Sequence, residues 1–258
     1  MESLEEETAV ESPEAGHRLG PFKAIGIFLA YLTAQIAVAI AVAAVIAVYL
    51  TATNPSSGRD VIAELPQLMM MPATVLCTAG SGLLTLLLTW LCLRGSGDAG
   101  RRAIGWTRPS LKAMLIATAA GLLLSTVYVW ALIPYFPPDQ SIDWGPVIRA
   151  INEPGWSRHL WMLLLVFIAP LAEELLFRGV LLTGFTRRWS LPLSGTIVTL
   201  LFVALHLPQL WGYLPGIFCI AGLGLATLLA RVYSKSLGPA VALHAAYNLV
   251  IGIGMYTN

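Results

Sequence analysis

The chain has 258 residues, 57% of them hydrophobic and only 11% charged, against about 25% charged in an ordinary soluble domain. That composition excludes a soluble globule. Fifteen Lys and Arg against fourteen Asp and Glu leave a net charge of +1, so no overall basic field exists to hold nucleic acid, and none is expected as a partner.

The chain opens with Glu2, Glu5, Glu6, Glu7, Glu11 and Glu14, where a secretory signal would need positive charge. Residues 1–20 are therefore expected to be a disordered acidic tail and not a cleaved leader. Seven segments then reach the roughly 20 apolar residues that cross about 30 Å of hydrocarbon. They are 22–50, 68–93, 111–133, 159–183, 191–207, 211–230 and 237–256, the fifth short enough to be a partial span. The expected fold is all-α, a polytopic membrane bundle of about seven to eight transmembrane helices. A region of three spans and an external loop (21–158) precedes a second membrane region (159–256).

Sidedness follows from Lys and Arg alone. Arg18 and Lys23, then Arg94, Arg101, Arg102, Arg108 and Lys112, then Arg187 and Arg188, then Arg231 and Lys235 fall on one side and total eleven. The other side holds Arg59, Arg149 and Arg158. The N-terminus is accordingly expected in the cytoplasm. The longest connection, 134–158, mixes Trp144 and Trp156 with five prolines and reads as an aromatic belt at the outer interface. Cys77, Cys92 and Cys219 each sit in an apolar run without metal or redox spacing, and read as packing residues. The chain ends Met-Tyr-Thr-Asn, with no Cys four from the end, so it is expected not to be prenylated itself. Internal repeats of the kind that build secondary transporters are not evident.

Only two of the fourteen acids fall inside a span, Glu173 and Glu174. A carboxylate at the centre of a span costs on the order of 2.5–3.5 kcal/mol on the insertion scale. Arg178 lies four residues after Glu174 and can pair with it on one helical face. Glu173 is rotated by about 100° and is free for another task. His206 and His244 also lie in apolar segments, His206 four residues after Phe202 and His244 four before Asn248. Pro170 and Pro208 flank the cluster and can free backbone carbonyls. Each element alone has a structural reading, as an ion pair or as polar contacts between helices. Their co-occurrence in a chain otherwise free of intramembrane charge points to function.

A carboxylate and an imidazole that reach one water can deprotonate it for attack on a carbonyl. The second histidine and the amide could supply donors to the developing oxyanion. The alternative is a zinc site with His206, His244 and Glu173 as ligands and water as the fourth. Neither an H-E-x-x-H motif nor a phosphate-cradling glycine loop is present, and Gly222/Gly224 and Gly252/Gly254 read as close helix contacts. Helical rise gives a test: Leu191 to His206 is about 22 Å and Gly238 to His244 about 9 Å. The two imidazoles meet only if their helices begin at different depths.

Three motifs, Glu173-Glu174-x-x-x-Arg178, Phe202-x-x-x-His206 and His244-x-x-x-Asn248, resemble those of the CAAX protease and bacteriocin-processing family, which contains the type II CAAX prenyl endopeptidases. The third follows Ser236-Leu237-Gly238-Pro239, as is typical of that family, and the similarity covers about 159–255. The resemblance implies an all-α membrane fold of about eight helices with a site opening towards the cytoplasm and the bilayer. It implies that Glu173 activates water with His206, that Glu174 and Arg178 hold the site together, and that His244 and Asn248 bind the oxyanion. Phe202 would orient His206. No obligatory metal is implied, with zinc as the possible one. The expected partners are membrane lipid and a hydrophobic or lipidated peptide or protein substrate, of CAAX or bacteriocin type. The Ala-, Leu- and Gly-rich chain suggests a bacterial cell membrane. Two other functions remain open on residues alone: a non-catalytic immunity or scaffold protein, and a proton-coupled transporter with Glu173 as carrier.

Overall fold

A computed structural model describes residues 19–53, 76, 79–138 and 156–257. These residues form helices and no strand. In chain order they are α1 (Pro21–Thr53), α2 (Ala79–Leu93), the short α3 (Gly97–Ala103) and α4 (Leu111–Leu132). There follow α5 (156–186), α6 (Leu191–Leu210), α7 (Leu214–Ser234) and α8 (Leu237–Thr257). Proline stands in the first turn of α1, α6 and α7, where its missing N–H costs nothing. Ser110 caps α4 by accepting the Ala113 N–H at 3.2 Å, which satisfies one of the first-turn donors.

The chain is a multi-pass helical membrane bundle. Among the described residues six helices are long and apolar enough to cross a membrane, and α2 is a shorter apolar helix. With α2 the described residues hold seven apolar helices, in keeping with the expected seven to eight, and much of the 68–78 stretch of the expected second span lies outside the described residues. The fifth span is not short: α6 continues through Pro208 to Leu210, a full 20 residues. Leu19 is fully buried, so the packed chain begins inside the expected tail, of which 1–18 lie outside the described residues. So does Trp144 of the external connection.

The helices α5 and α8 form the centre. Half of the residues in their apolar windows are buried, against 11% for α1, whose outer face keeps exposed Ile36, Ile40 and Val45. The helix α4 lies along α8, and its Gly121 faces the Leu243 carbonyl so closely that no Cβ fits. The helix α7 is flanked by α6 and α8, and α1 covers the second half of α5.

One turn, 103–107, ties the ends of three helices together. The Ala103 carbonyl accepts from Thr183 Oγ1 of α5 and from Arg231 Nη2 of α7, each at 2.9 Å. The Gly105 carbonyl accepts the first N–H of α8, from Leu237, at 2.8 Å. Gly105 has φ 78° and the Arg231 guanidinium lies against it, a position that needs glycine on both counts. Thus α8 begins level with Thr183, whereas α6 begins beyond the end of α5, after the 187–190 turn. The helices do begin at different depths.

Candidate active site

Backbone irregularity surrounds the acidic pair. The helix α5 is π-helical over Leu164–Ile168 and again over Leu175–Leu181, either side of Glu173 and Glu174. In the first π segment the bonds reach back five residues, as Ala169 N–H to the Leu164 carbonyl shows. The next bond in that register would join residue 170 to the Leu165 carbonyl, but Pro170 has no N–H to give. The Asn248 Nδ2 amide of α8 donates to that carbonyl instead, at 2.8 Å. Bulges of this kind recur at functional sites because they widen the helix and turn side chains off the regular stripe.

Glu174 and Arg178 are both fully buried and pair at 3.2 Å through Oε1 and Nη1. Arg178 is held on two further sides. Its Nη2 donates to the Gly224 carbonyl at 2.7 Å, and its cation lies 4.5 Å from the centroid of the Phe202 ring, a favourable contact in a dry setting. Gly224 packs closely: a Cβ there would sit 3.2 Å from both Phe202 and Thr199, which would have to give by a few tenths of an ångström.

Glu173 faces the other way, as its 100° rotation requires. Its Oε2 lies 4.0 Å from His206 Nε2 and 3.9 Å from His244 Nε2, and has no hydrogen-bond partner. Those separations are too long for direct hydrogen bonds and suit a water held between the groups. Glu173 and His206 side chains keep 18% and 20% exposure, whereas His244 keeps 3%, so the first two form the accessible edge of the cluster.

The far nitrogens fix the proton arrangement. His206 Nδ1 lies 2.8 Å from the Phe202 carbonyl, an acceptor only, so Nδ1 carries the proton and neutral His206 presents a lone pair at Nε2. His244 Nδ1 lies 2.9 Å from Glu174 Oε1 and likewise donates. His244 therefore joins the two carboxylates, Glu174 through one nitrogen and Glu173 through the other. Phe202 separates the imidazoles from Arg178, with its centroid 4.7 Å from His206 and 5.8 Å from His244.

All six candidate residues are thus placed around α5 and α8. Arg178, Glu174, His244, Glu173 and His206 follow one another as a chain of neighbouring side chains, while Asn248 is engaged by the Leu165 carbonyl. Three contributors were not singled out as such from sequence: the Gly224 and Leu165 carbonyls, which leave no side-chain signal, and Phe202 as the cover of Arg178. As a zinc site the arrangement fits poorly. Tetrahedral ligands about 2.0 Å from zinc lie about 3.3 Å apart, and both nitrogens here stand 3.9 Å or more from the carboxylate oxygen. Among the described residues no group of three or more His, Cys, Asp or Glu is arranged to hold a metal ion.

Residues 155–250 match the family described as Rce1-like type II CAAX prenyl endopeptidase, a stretch that contains all six site residues. An Escherichia coli protein, described as an uncharacterized 24.3 kDa protein, is 41% identical over 88 residues, 33% of this chain. The matched part spans 39% of that relative's length. No solved structure matches. The similarity to the Rce1-like family thus covers the C-terminal membrane region of the chain.

Proposed function

We propose that the protein is an intramembrane endopeptidase that hydrolyses a peptide bond in a membrane-associated substrate, with water activated by Glu173 and His206. The observation that carries this reading is the pair of acceptors, Glu173 Oε2 and His206 Nε2, 4.0 Å apart on the accessible side of a buried polar cluster. A water donating one hydrogen to each turns a lone pair outward. That lone pair attacks the carbonyl carbon, Glu173 takes the proton, and the same proton passes to the amide nitrogen as the C–N bond breaks. General base catalysis of this kind contributes about 10²–10⁴ in rate.

His244 serves the oxyanion. Its Nε2 lies beside Glu173 at the site, and its Nδ1 is held by Glu174, which Arg178 pairs in turn. The second N–H of Asn248 can add to the oxyanion contacts, and such donors are worth about 10²–10³ each. This route needs no metal. The lipid-facing setting selects a hydrophobic or lipidated peptide, in the cell membrane of a bacterium, with the cationic end of the bundle in the cytoplasm.

The test compares membrane-proteome termini in host cells carrying the wild-type chain, Glu173→Gln or His206→Ala at matched expression. New termini with wild type alone are expected, with turnover lost by at least about 10² in both variants. Identical termini in all three would refute proteolysis and return the cluster to a binding role.

A further inference from the structure

A second site lies away from the acidic pair, between α2, α3 and α5. The chain leaves α2 through Gly95 and Gly97, at φ 86° and 52°, left-handed values that glycine accepts freely. That reversal brings Arg94 and Arg101 to one cavity of about 480 Å³, within the range of small-ligand clefts. Trp90 and Trp106 also line it, 62% and 50% exposed. Its floor is apolar and includes Leu175, the residue after Glu174.

Thr89 marks the interior of this cavity. Its side chain lines the wall and is 4% exposed, yet Oγ1 has no hydrogen-bond partner. Thr33, Thr51, Thr85, Thr186 and Thr227 each donate to the carbonyl four residues back. Thr89 forgoes that bond. A buried hydroxyl without a partner is unfavourable, and a ligand acceptor bound in this cavity would supply the missing bond.

We propose that this cavity binds the phosphate headgroup of an anionic phospholipid. Two guanidiniums and a hydroxyl match the oxygens of a phosphate diester, for which arginine is the preferred side chain. Arg101 also holds Asp98 through Nε at 3.7 Å, both largely exposed, and its other nitrogens remain for the headgroup. The apolar floor and the exposed Leu83, three residues before Leu86 of the cavity wall, continue the path for an acyl chain into the bilayer. Indole rings at the mouth fit the interfacial level, and the cavity lies at the end of the bundle that gathers Arg102, Arg231 and Lys235. Basic pockets between helices at such an end suit anionic headgroups. This proposal does not depend on the peptidase reading.

The test uses the full chain purified in detergent, titrated with dioctanoyl phosphatidylglycerol, dioctanoyl phosphatidylcholine or inorganic phosphate and followed by native mass spectrometry. Phosphatidylglycerol is expected to bind and the other two to bind at least about tenfold more weakly. Arg94→Gln with Arg101→Gln is expected to weaken phosphatidylglycerol about tenfold or more, and Thr89→Val by several-fold. Thr89→Val keeps the side-chain shape, so its ligand-free Tm should equal or exceed that of wild type. Arg102→Gln, exposed and outside the cavity, should leave binding unchanged. Equal binding of the two lipids, equal loss in Arg102→Gln, or unchanged binding in Thr89→Val would overturn the proposal. Inorganic phosphate binding as tightly as the lipid would overturn it too, leaving a site for a free anion.

Discussion

Two adjacent glutamates have opposite surroundings here, and the difference decides their tasks. Glu174 has no exposure and touches Arg178 and His244, whereas Glu173 is partly exposed between two Nε2 atoms. Removing Arg178 leaves a buried uncompensated carboxylate, which costs about 3–5 kcal/mol. Arg178→Met alone should therefore lower Tm and yield sharply, and adding Glu174→Gln should recover much of the loss. A thermal melt of the single and double variants checks this, and a stable Arg178→Met would contradict the ion-pair role. The identity of these residues was legible because charge inside a span is rare. The linkage of both glutamates through His244 was not, since it depends on how α8 is rotated against α5.

At the scale of the helix, glycine and proline set the distances that chemistry needs. Gly121 lets α4 lie against the Leu243 carbonyl, next to His244. Gly121→Ala should push α8 outward, lowering Tm and reducing turnover together, as melting and the terminus assay would show. A variant with wild-type values for both would mean that this contact does not position His244. The sequence revealed that Pro170 could free a carbonyl near the cluster. It did not reveal which one, because the π segment shifts the bonding register by one residue and makes Leu165 the acceptor that Asn248 takes. Likewise α6 runs three residues past its expected end at Leu207, because the helix absorbs Pro208 near its last turn.

Across the described residues, most of the positive charges outside the site gather at one end of the bundle. Contacts of Ala103 with Arg231 and of Thr107 with Lys235 show that the 94–112 and 231–235 connections share that end, as the Lys and Arg distribution indicated. Single cysteines at Arg102 and Arg188, placed in a variant lacking the native cysteines, should both be labelled only from the cytoplasmic side of membrane vesicles. Labelling from opposite sides would contradict the topology.

In the proposed mechanism protein groups alone activate the water. Its most direct test is peptide hydrolysis in proteoliposomes of purified protein, with a substrate identified from the terminus comparison, in ¹⁸O-labelled water with a metal chelator. One ¹⁸O in each new carboxyl group, an unchanged rate in chelator, and loss of hydrolysis in Glu173→Gln are expected. Hydrolysis that stops in chelator and returns with zinc would overturn this mechanism.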